Sequence, residues 1–182
     1  MQLNWLEQTA TDNALLSDGF PEKMVLLDCE TTGGRAKYHR VIEIGLLVIE
    51  NGLLVETWQS FINPETILPR HIQKLTGISP KMVENAPKFG EISEILLEKL
   101  KDRTLVAHNA RFDYSFLKSE FERAGIAYST KPLCSVKMSR NLYPQFKRHG
   151  LSEIIRRFDL NIENRHRALD DAQMIYGFFL KT

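Results

Sequence analysis

Residues 24–34 read MVLLDCETTGG, an apolar run that ends abruptly at two acidic residues and a glycine-containing turn. The run predicts a buried strand, whose alternation puts Asp28 and Glu30 on one face and Cys29 on the other. Two neighbouring carboxylates at the end of a buried strand are costly to desolvate unless a cation neutralises them. In isolation, an Asp-x-Glu pair is more often a solvated strand end, so the interpretation as a metal site depends on the other segments.

A second strand end with polar side chains occurs farther along the chain. Residues 105–107 predict a short strand that stops at His108 and Asn109, before a helix over 111–124. Asp113 lies in the first turn of that helix, where it either faces a cation or compensates the helix dipole. His108 and Asn109 are also explained as a strand-end hydrogen-bonding pair and a helix cap. The helix has one apolar stripe, formed by Phe112, Phe116, Leu117 and Phe121.

The third segment is a helix predicted over 167–180 with two adjacent acidic residues near its start. Asp171 lies beside the apolar stripe, whereas Asp170 is turned about 100° away and is expected to be solvated. His166 precedes the helix and is free to project over a site that Asp171 helps to form. A histidine beside clustered acids is a plausible general base, although a lone one is more often a capping residue. The stripe consists of Ala168, Ala172, Ile175 and Phe179.

Together these segments resemble the DEDDh 3′–5′ exonucleases of the RNase H-like superfamily, and within it the proofreading epsilon-subunit branch of bacterial DNA polymerase III. Three motifs in this order and spacing are far more specific than any one of them. Two shorter matches, RVIEIG at 40–45 and LTGIS at 75–79, extend the resemblance over about 24–181. The three motifs are Asp28 to Gly33, His108 to Asp113, and His166 to Asp171.

The resemblance implies two-metal hydrolysis of phosphodiesters. Oxygen ligands without thiolates favour two Mg²⁺ or Mn²⁺ ions over zinc. We assign Asp28 to both ions, which together neutralise charge and make a nucleophile from water. By resemblance, Glu30 and Asp171 hold the ion that carries the attacking water, and Asp113 holds the leaving-group ion. His166 takes the proton and must be neutral to do so.

The implied substrate is a single-stranded or frayed 3′ end, with DNA favoured, as in proofreading or repair. Thr31 and Thr32 resemble contacts to the terminal nucleotide, but hydrogen bonding between strand and loop explains them equally well. His108 and Asn109, from the second motif, join them as candidate substrate-binding residues. One alternative is a 3′–5′ exoribonuclease with the same ligands. The other is a nucleic-acid-binding module without catalysis, which the presence of all five site residues disfavours.

The order of predicted elements indicates an α/β protein, an RNase H-like three-layer sandwich with helices on both faces of a mixed five-stranded sheet. An Asn-Gly pair at 51–52 predicts a hairpin. The strands are predicted at 24–30, 40–50, 53–62, 104–107 and 131–134. The helices are predicted at 67–76, 89–100, 111–124, 135–143, 150–158 and 167–180. In this arrangement, the ends of the first and fourth strands meet at one edge, where the acids cluster.

Composition agrees with one exonuclease domain at 24–182, preceded by an N-terminal extension at 1–23. A chain of 182 residues with 43% hydrophobic content can bury a full core. The net charge of +1 excludes broad electrostatic capture of nucleic acid but not a local basic patch. Residues 131–167 contain nine basic residues but only three acidic ones. This region either binds phosphates along a nucleic-acid strand or is a solvated surface. The basic residues are Lys131, Lys137, Arg140, Lys147, Arg148, Arg156, Arg157, Arg165 and Arg167.

Location and partners follow from weaker signals. Cys29 and Cys134 are far apart and apparently on strands, which predicts reduced core residues of a cytoplasmic protein. Neither a signal peptide nor a membrane-spanning run is visible, so no membrane partner is expected. The loop at 35–40 is unusually basic for its position after the first motif. Nothing follows Thr182 to match the tail by which epsilon subunits meet polymerase and clamp, so that association stays open, without support from a C-terminal tail.

Overall fold

A mixed sheet of five strands, in the order β3-β2-β1-β4-β5, forms the centre of the computed structural model, which describes residues 19–161 and 166–182. The first three strands form an antiparallel meander, and β4 and β5 run parallel to β1. Asn51 and Gly52 both have positive φ, as the predicted hairpin turn requires. All five predicted strands are present: β1 (Lys23–Thr31), β2 (Val41–Glu50), β3 (Leu53–Phe61), β4 (Thr104–Ala107) and β5 (Leu133–Cys134).

Helices cover both faces of this sheet, and the described residues form seven of them. The sequence predicted six; the additional helix, α2, has five residues and is too short for a helical period to be visible. The first helix begins after Pro69 rather than at 67, because a proline disfavours helical backbone at the residue that precedes it. None of the described helices is long and apolar enough to cross a membrane. The helices are α1 (Arg70–Thr76), α2 (Pro80–Glu84), α3 (Phe89–Leu100), α4 (Arg111–Arg123), α5 (Ser135–Leu142), α6 (Leu151–Phe158) and α7 (Ala168–Phe179).

The side chains of β1 divide the core into two layers. Val25, Leu27 and Cys29 pack in one cluster with apolar residues of α3 and α4. Met24 and Leu26 point to the opposite face, into a cluster with residues of α6 and α7. Because both faces are covered, β2 is buried from Val41 to Ile49, and this stretch is apolar apart from Glu43 and Gly45. The predicted three-layer sandwich is confirmed.

Helix α7 is buried on nearly all sides, and not only along its predicted stripe. Ten of its twelve residues are buried, including all four of the stripe. Its outer side is covered by Leu160 and by Phe20, whose ring centroid lies 4.7 Å from that of Phe179. Phe20 belongs to the predicted N-terminal extension, of which residues 1–18 lie outside the described part of the chain. Because its outer side is covered as well as the side that faces the sheet, the helix is buried beyond its predicted stripe.

The start of α7 lies directly against β2 at Gly45. A Cβ atom at residue 45 would be 2.1 Å from the backbone nitrogen of Leu169 and 2.3 Å from its Cα. Two residues earlier on the same face, the buried Glu43 accepts a 2.7 Å hydrogen bond from Nη2 of Arg167 and a 3.1 Å bond from the amide of Ala168. These contacts determine the position of the helix that carries Asp171.

Replacing Gly45 by alanine should therefore displace α7 from the sheet. We expect Gly45→Ala to lower the free energy of unfolding by roughly 1–3 kcal/mol or more, because backbone atoms cannot yield as a flexible side chain can. Urea denaturation measures this change. Gly90→Ala is the matched control: residue 90 is exposed in α3 with open space around it, so alanine should stabilise by up to about 1 kcal/mol. Equal urea midpoints for Gly45→Ala and the unmutated protein would contradict the close approach of α7.

Candidate active site

The carboxyl end of β1 carries two of the predicted acids on one face. Asp28 and Glu30 follow Met24 and Leu26 on the side of α7, whereas Cys29 packs in the opposite cluster. Pairing of β1 with β4 ends at Leu26, so the strand continues past its neighbour. Asp28 and Glu30 are partly exposed on this stretch, which pairs with β2 but not with β4. The strand end is accessible as well as acidic.

The third motif meets β1 at Glu30. Potential ligand atoms of Glu30, His166 and Asp171 all lie within 4.8 Å of one another, and Asp28 and Asp113 lie outside this group. Asp171 is buried while Asp170 is partly exposed, as the helical geometry predicted for their relative orientation. His166 adopts a φ of 62°, a left-handed conformation that histidine tolerates better than most residues. The structure thus brings three of the five predicted site residues together.

Asp113 reaches β1 from the first turn of α4. It is only 2% exposed, and its Oδ1 accepts a 3.1 Å hydrogen bond from the backbone amide of Cys29. That amide lies beyond the last residue of β1 that pairs with β4, so the carboxylate takes the place of a strand partner. Burial raises the pKa of Asp113 to about 7, although hydrogen bonds from the amides of Asp113 and Cys29 lower it. A nearby cation would restore the ionised form.

The donor set fits a hard divalent cation. Burial raises the pKa of the Cys29 thiol, and the carboxylates of Asp113, Asp28 and Glu30 raise it further. Since the thiol stays protonated and faces the other layer, it does not act as a soft ligand. The remaining donors are carboxylates and one imidazole. Such a set suits Mg²⁺ or Mn²⁺ better than it suits a metal that prefers thiolate ligands.

A fifth acid lies beside the site and is already paired. Glu43 is directly opposite Glu30 across the β1–β2 ladder, a position where like charges repel. Arg167 binds both carboxylate oxygens of Glu43, and Glu43 is the main cause of the raised pKa of Arg167, with smaller contributions from Asp170 and Glu30. Arg167, one of the nine basic residues counted between 131 and 167, therefore has an acidic partner within the protein. Arg165, from the same count, lies outside the described residues.

The candidate substrate-binding threonines have hydrogen bonds inside the protein. The hydroxyl of Thr31 donates to the carbonyl of Gly33 at 2.9 Å, and that of Thr32 accepts from the amide of Arg40 at 2.9 Å. The structure thus contains the hydrogen bonding between strand and loop that was the alternative explanation for both residues. Their contact with a terminal nucleotide stays a prediction.

The structure supports the predicted local role of His108, the first polar residue after β4, but not that of Asn109, the second. His108 shares a 2.9 Å hydrogen bond between its Nδ1 and Oγ of Ser135, as expected for a strand-end pair. The interpretation of Asn109 as a helix cap was wrong, because Ala110 occupies the N-cap position and no side chain caps the helix. Asn109 is exposed with a φ of 66°, a left-handed conformation that asparagine adopts readily. Substrate contacts of both residues stay predictions.

Sequence reasoning missed the buried acids that hold the site in place. Glu43 interrupts an otherwise apolar strand, and this interruption was the available signal. Glu120 falls beside the apolar stripe of α4 and is only 1% exposed. It accepts hydrogen bonds from Nε of Arg40 at 2.8 Å and from the amide of Val41 at 3.2 Å, and it pairs with Arg123 at 3.2 Å. It thereby joins α4 to the loop that follows β1.

Known sequences that resemble this chain indicate one family of exonucleases. The sequence profile of the RNase_T exonuclease family matches residues 25–179. The PolC-type DNA polymerase III of Caldanaerobacter subterraneus subsp. tengcongensis is 37% identical over 159 residues, which cover 87% of this chain and 11% of that protein. The 3′-5′ exonuclease DinG of Bacillus subtilis is 36% identical over 162 residues, covering 88% and 17%. The chain thus spans less than a fifth of the length of these relatives.

Solved structures share the fold at lower identity. The nuclease domain of 3′hExo, a DEDDh family member solved with rAMP, superposes with a TM-score of 0.73 at 19% identity, covering 91% of this chain and 93% of that one. Exonuclease X, solved with 5′-overhanging duplex DNA, has a TM-score of 0.70 at 21% identity, covering 87% and 89%. These similarities establish the RNase H-like exonuclease fold.

The burial of Asp113 predicts a pH-dependent stability in metal-free protein. Between about pH 4 and pH 7 the native state keeps a proton that the unfolded chain has released, so the free energy of unfolding should fall as pH rises. Asp113→Asn keeps an acceptor for the Cys29 amide but cannot ionise. In EDTA it should therefore melt above the unmutated protein at pH 8 and close to it at pH 4. A melting-temperature difference that is the same at both pH values would contradict this account, and added Mn²⁺ should restore the unmutated protein at pH 8.

Proposed function

The chain belongs to the RNase_T exonuclease family, and from this membership we propose that it is a metal-dependent 3′–5′ exonuclease acting on DNA 3′ ends. The observation that carries the proposal is the grouping of Glu30, His166 and Asp171 at the end of β1. We place the catalytic domain at 24–182, in line with a family match that begins at residue 25. We also propose a cytoplasmic location, because both described cysteines are unpaired.

Four carboxylates hold the metal ions in this proposal. Glu30 and Asp171 approach each other from β1 and α7, while Asp113 reaches the edge of β1 from α4. Asp28, two residues before Glu30 on the same face, would be a ligand of both ions. When bound, Mg²⁺ or Mn²⁺ would neutralise charge on the phosphodiester and lower the pKa of a water molecule. The raised pKa of Asp113 is consistent with a carboxylate built to face a cation.

His166 acts on the proton rather than on the metal. Its ring lies beside Glu30 and Asp171, where an uncharged imidazole nitrogen can accept a proton from the attacking water. The residue next in sequence, Arg167, is bound to Glu43 and so fixes the backbone on one side of His166. Thr31, Thr32, His108 and Asn109 are proposed to contact the terminal nucleotide.

The choice of DNA over RNA rests on the relatives. The PolC-type polymerase is a DNA enzyme by name, and this favours a single-stranded or frayed DNA 3′ end as substrate. The exoribonuclease alternative has its own support, since the 3′hExo domain was solved with a ribonucleotide. Polymerase activity and polymerase association are not carried over, because the chain spans 11% of that relative.

The substrate is tested with matched DNA and RNA oligonucleotides labelled at the 5′ end. We expect the DNA to be shortened from its 3′ end one nucleotide at a time, with Mg²⁺ or Mn²⁺ but not in EDTA. Asp28→Ala should be inactive under the same conditions, since it removes the shared ligand. Intact DNA together with degraded RNA would overturn the DNA assignment in favour of the exoribonuclease.

Replacement of His166 separates a base from a ligand. We expect His166→Ala to lower turnover by about 10²–10⁴-fold, the usual loss for a general base, with Mn²⁺ affinity unchanged. Activity of the unmutated protein should rise with pH, because only a neutral imidazole can accept a proton, and the variant should lack this rise.

Asp170→Ala is the matched control for that experiment, because the neighbouring acid is partly exposed and should be dispensable. If His166→Ala lost Mn²⁺ affinity in parallel with turnover, His166 would be a metal ligand. If it retained both turnover and the pH-dependent rise, it would have no catalytic role.

A further inference from the structure

The loop between β1 and β2 presents an aromatic ring and cations to solvent. Residues 35–40 read RAKYHR, with no acid among them. Tyr38 is 66% exposed, and Nζ of Lys37 lies 5.5 Å from the centroid of its ring. Within the described residues, neither Arg35 nor Lys37 forms an ion pair.

Hydrogen bonds within the loop and from α4 hold this exposed loop in place. The amide of Tyr38 donates to the carbonyl of Arg35 at 2.9 Å. Arg123 of α4 donates from Nη2 to the carbonyls of Ala36 at 2.7 Å and Lys37 at 3.2 Å. At the base of the loop, the amide of Thr32 donates to the carbonyl of Arg40, and the amide of Arg40 donates to the hydroxyl of Thr32. A surface that is already ordered loses little conformational entropy when it binds a ligand.

We propose that Tyr38, Lys37 and Arg35 form a platform that stacks one base of the substrate strand and binds an adjacent phosphate. The platform rests on the proposed function, since it needs a nucleic-acid strand in the active site. Proteins that track single strands combine exposed aromatic rings with cations, and every base has a face on which a ring can stack. Lys37 lies over one face of the Tyr38 ring, and the ring's exposure leaves room for a base.

The position of the platform determines which base it meets. Arg123, which binds the loop, is ten residues after Asp113 on the same helix, a distance of about 15 Å at the helical rise of 1.5 Å per residue. Stacked nucleotides are spaced by about 3.4 Å along one strand, so this span along the helix corresponds to about four nucleotides. In a more extended strand the number is smaller. The platform therefore meets an internal base and not the terminal one.

Steady-state kinetics on a 12-nucleotide single strand test the platform. Tyr38→Ala should raise KM about tenfold with kcat unchanged, a change of about 1.4 kcal/mol. Tyr38→Phe keeps the ring and should behave as the unmutated protein. Lys37→Ala should raise KM less and weaken its dependence on salt. Lys101→Ala is the matched control. This exposed lysine lies just before the start of β4, at the end of the strands opposite to the loop that follows β1.

Two substrates separate stacking from other effects of the substitution. On a dinucleotide, which is too short to reach the platform, Tyr38→Ala and the unmutated protein should have equal KM. An abasic nucleotide moved along the 12-mer should remove the difference between the two proteins at one internal position only. Equal KM on all 12-mers, or a defect that persists on the dinucleotide, would overturn the platform while leaving the exonuclease intact. If the unmutated protein neither bound nor cleaved any oligonucleotide, the proposed function would fail and the platform with it.

Discussion

The buried carboxylate of Glu43 holds together the two halves of the candidate site. It lies in β2, next to the central strand β1, and binds both the side chain of Arg167 and the amide of Ala168. A buried charge is tolerated only when it is paired, and removal of one partner from such a pair typically costs about 3–5 kcal/mol. The same contact positions α7 at the point where the absence of a side chain at Gly45 lets two backbones approach. Asp171 and His166 reach Glu30 because this contact places the start of α7 on the sheet.

The site concentrates negative charge at a place where the sheet is incomplete. β1 extends past β4, and the side chain of Asp113 satisfies an amide that a longer β4 would have bonded. Arg167 compensates one of the clustered acids, and burial keeps the pKa of Asp113 near 7, so a proton compensates another in the metal-free protein. Structural stability and metal binding thus make opposite demands on Asp113. Such conflicts between local stability and charge are typical of functional sites.

Strand alternation and helical period were sufficient to predict β1, α3 and α4, whereas the expectation that Glu30 lies beside Asp171 came from the family resemblance. They failed where a residue's environment comes from a distant segment. The outer face of α7 is buried by Phe20 and Leu160, and neither contact can be read from the period of the helix itself. Likewise, the pairing of Arg167 was not predicted, because its partner is 124 residues away. Asn109 was taken for a cap because its type favours caps, while its left-handed backbone became evident only in the fold.

Helix α4 connects the chemistry to the surface around it. Its first turn carries Asp113 at the edge of β1, and its last turns carry Glu120 and Arg123, which bind the loop that follows β1. Both ends of one rigid helix therefore contact the same continuous segment, residues 29–40. Because a helix has a constant rise, the distance between the acidic strand end and the loop is set by the number of residues between these contacts. A loop that would otherwise be free to move is thereby held at a defined distance from Asp113.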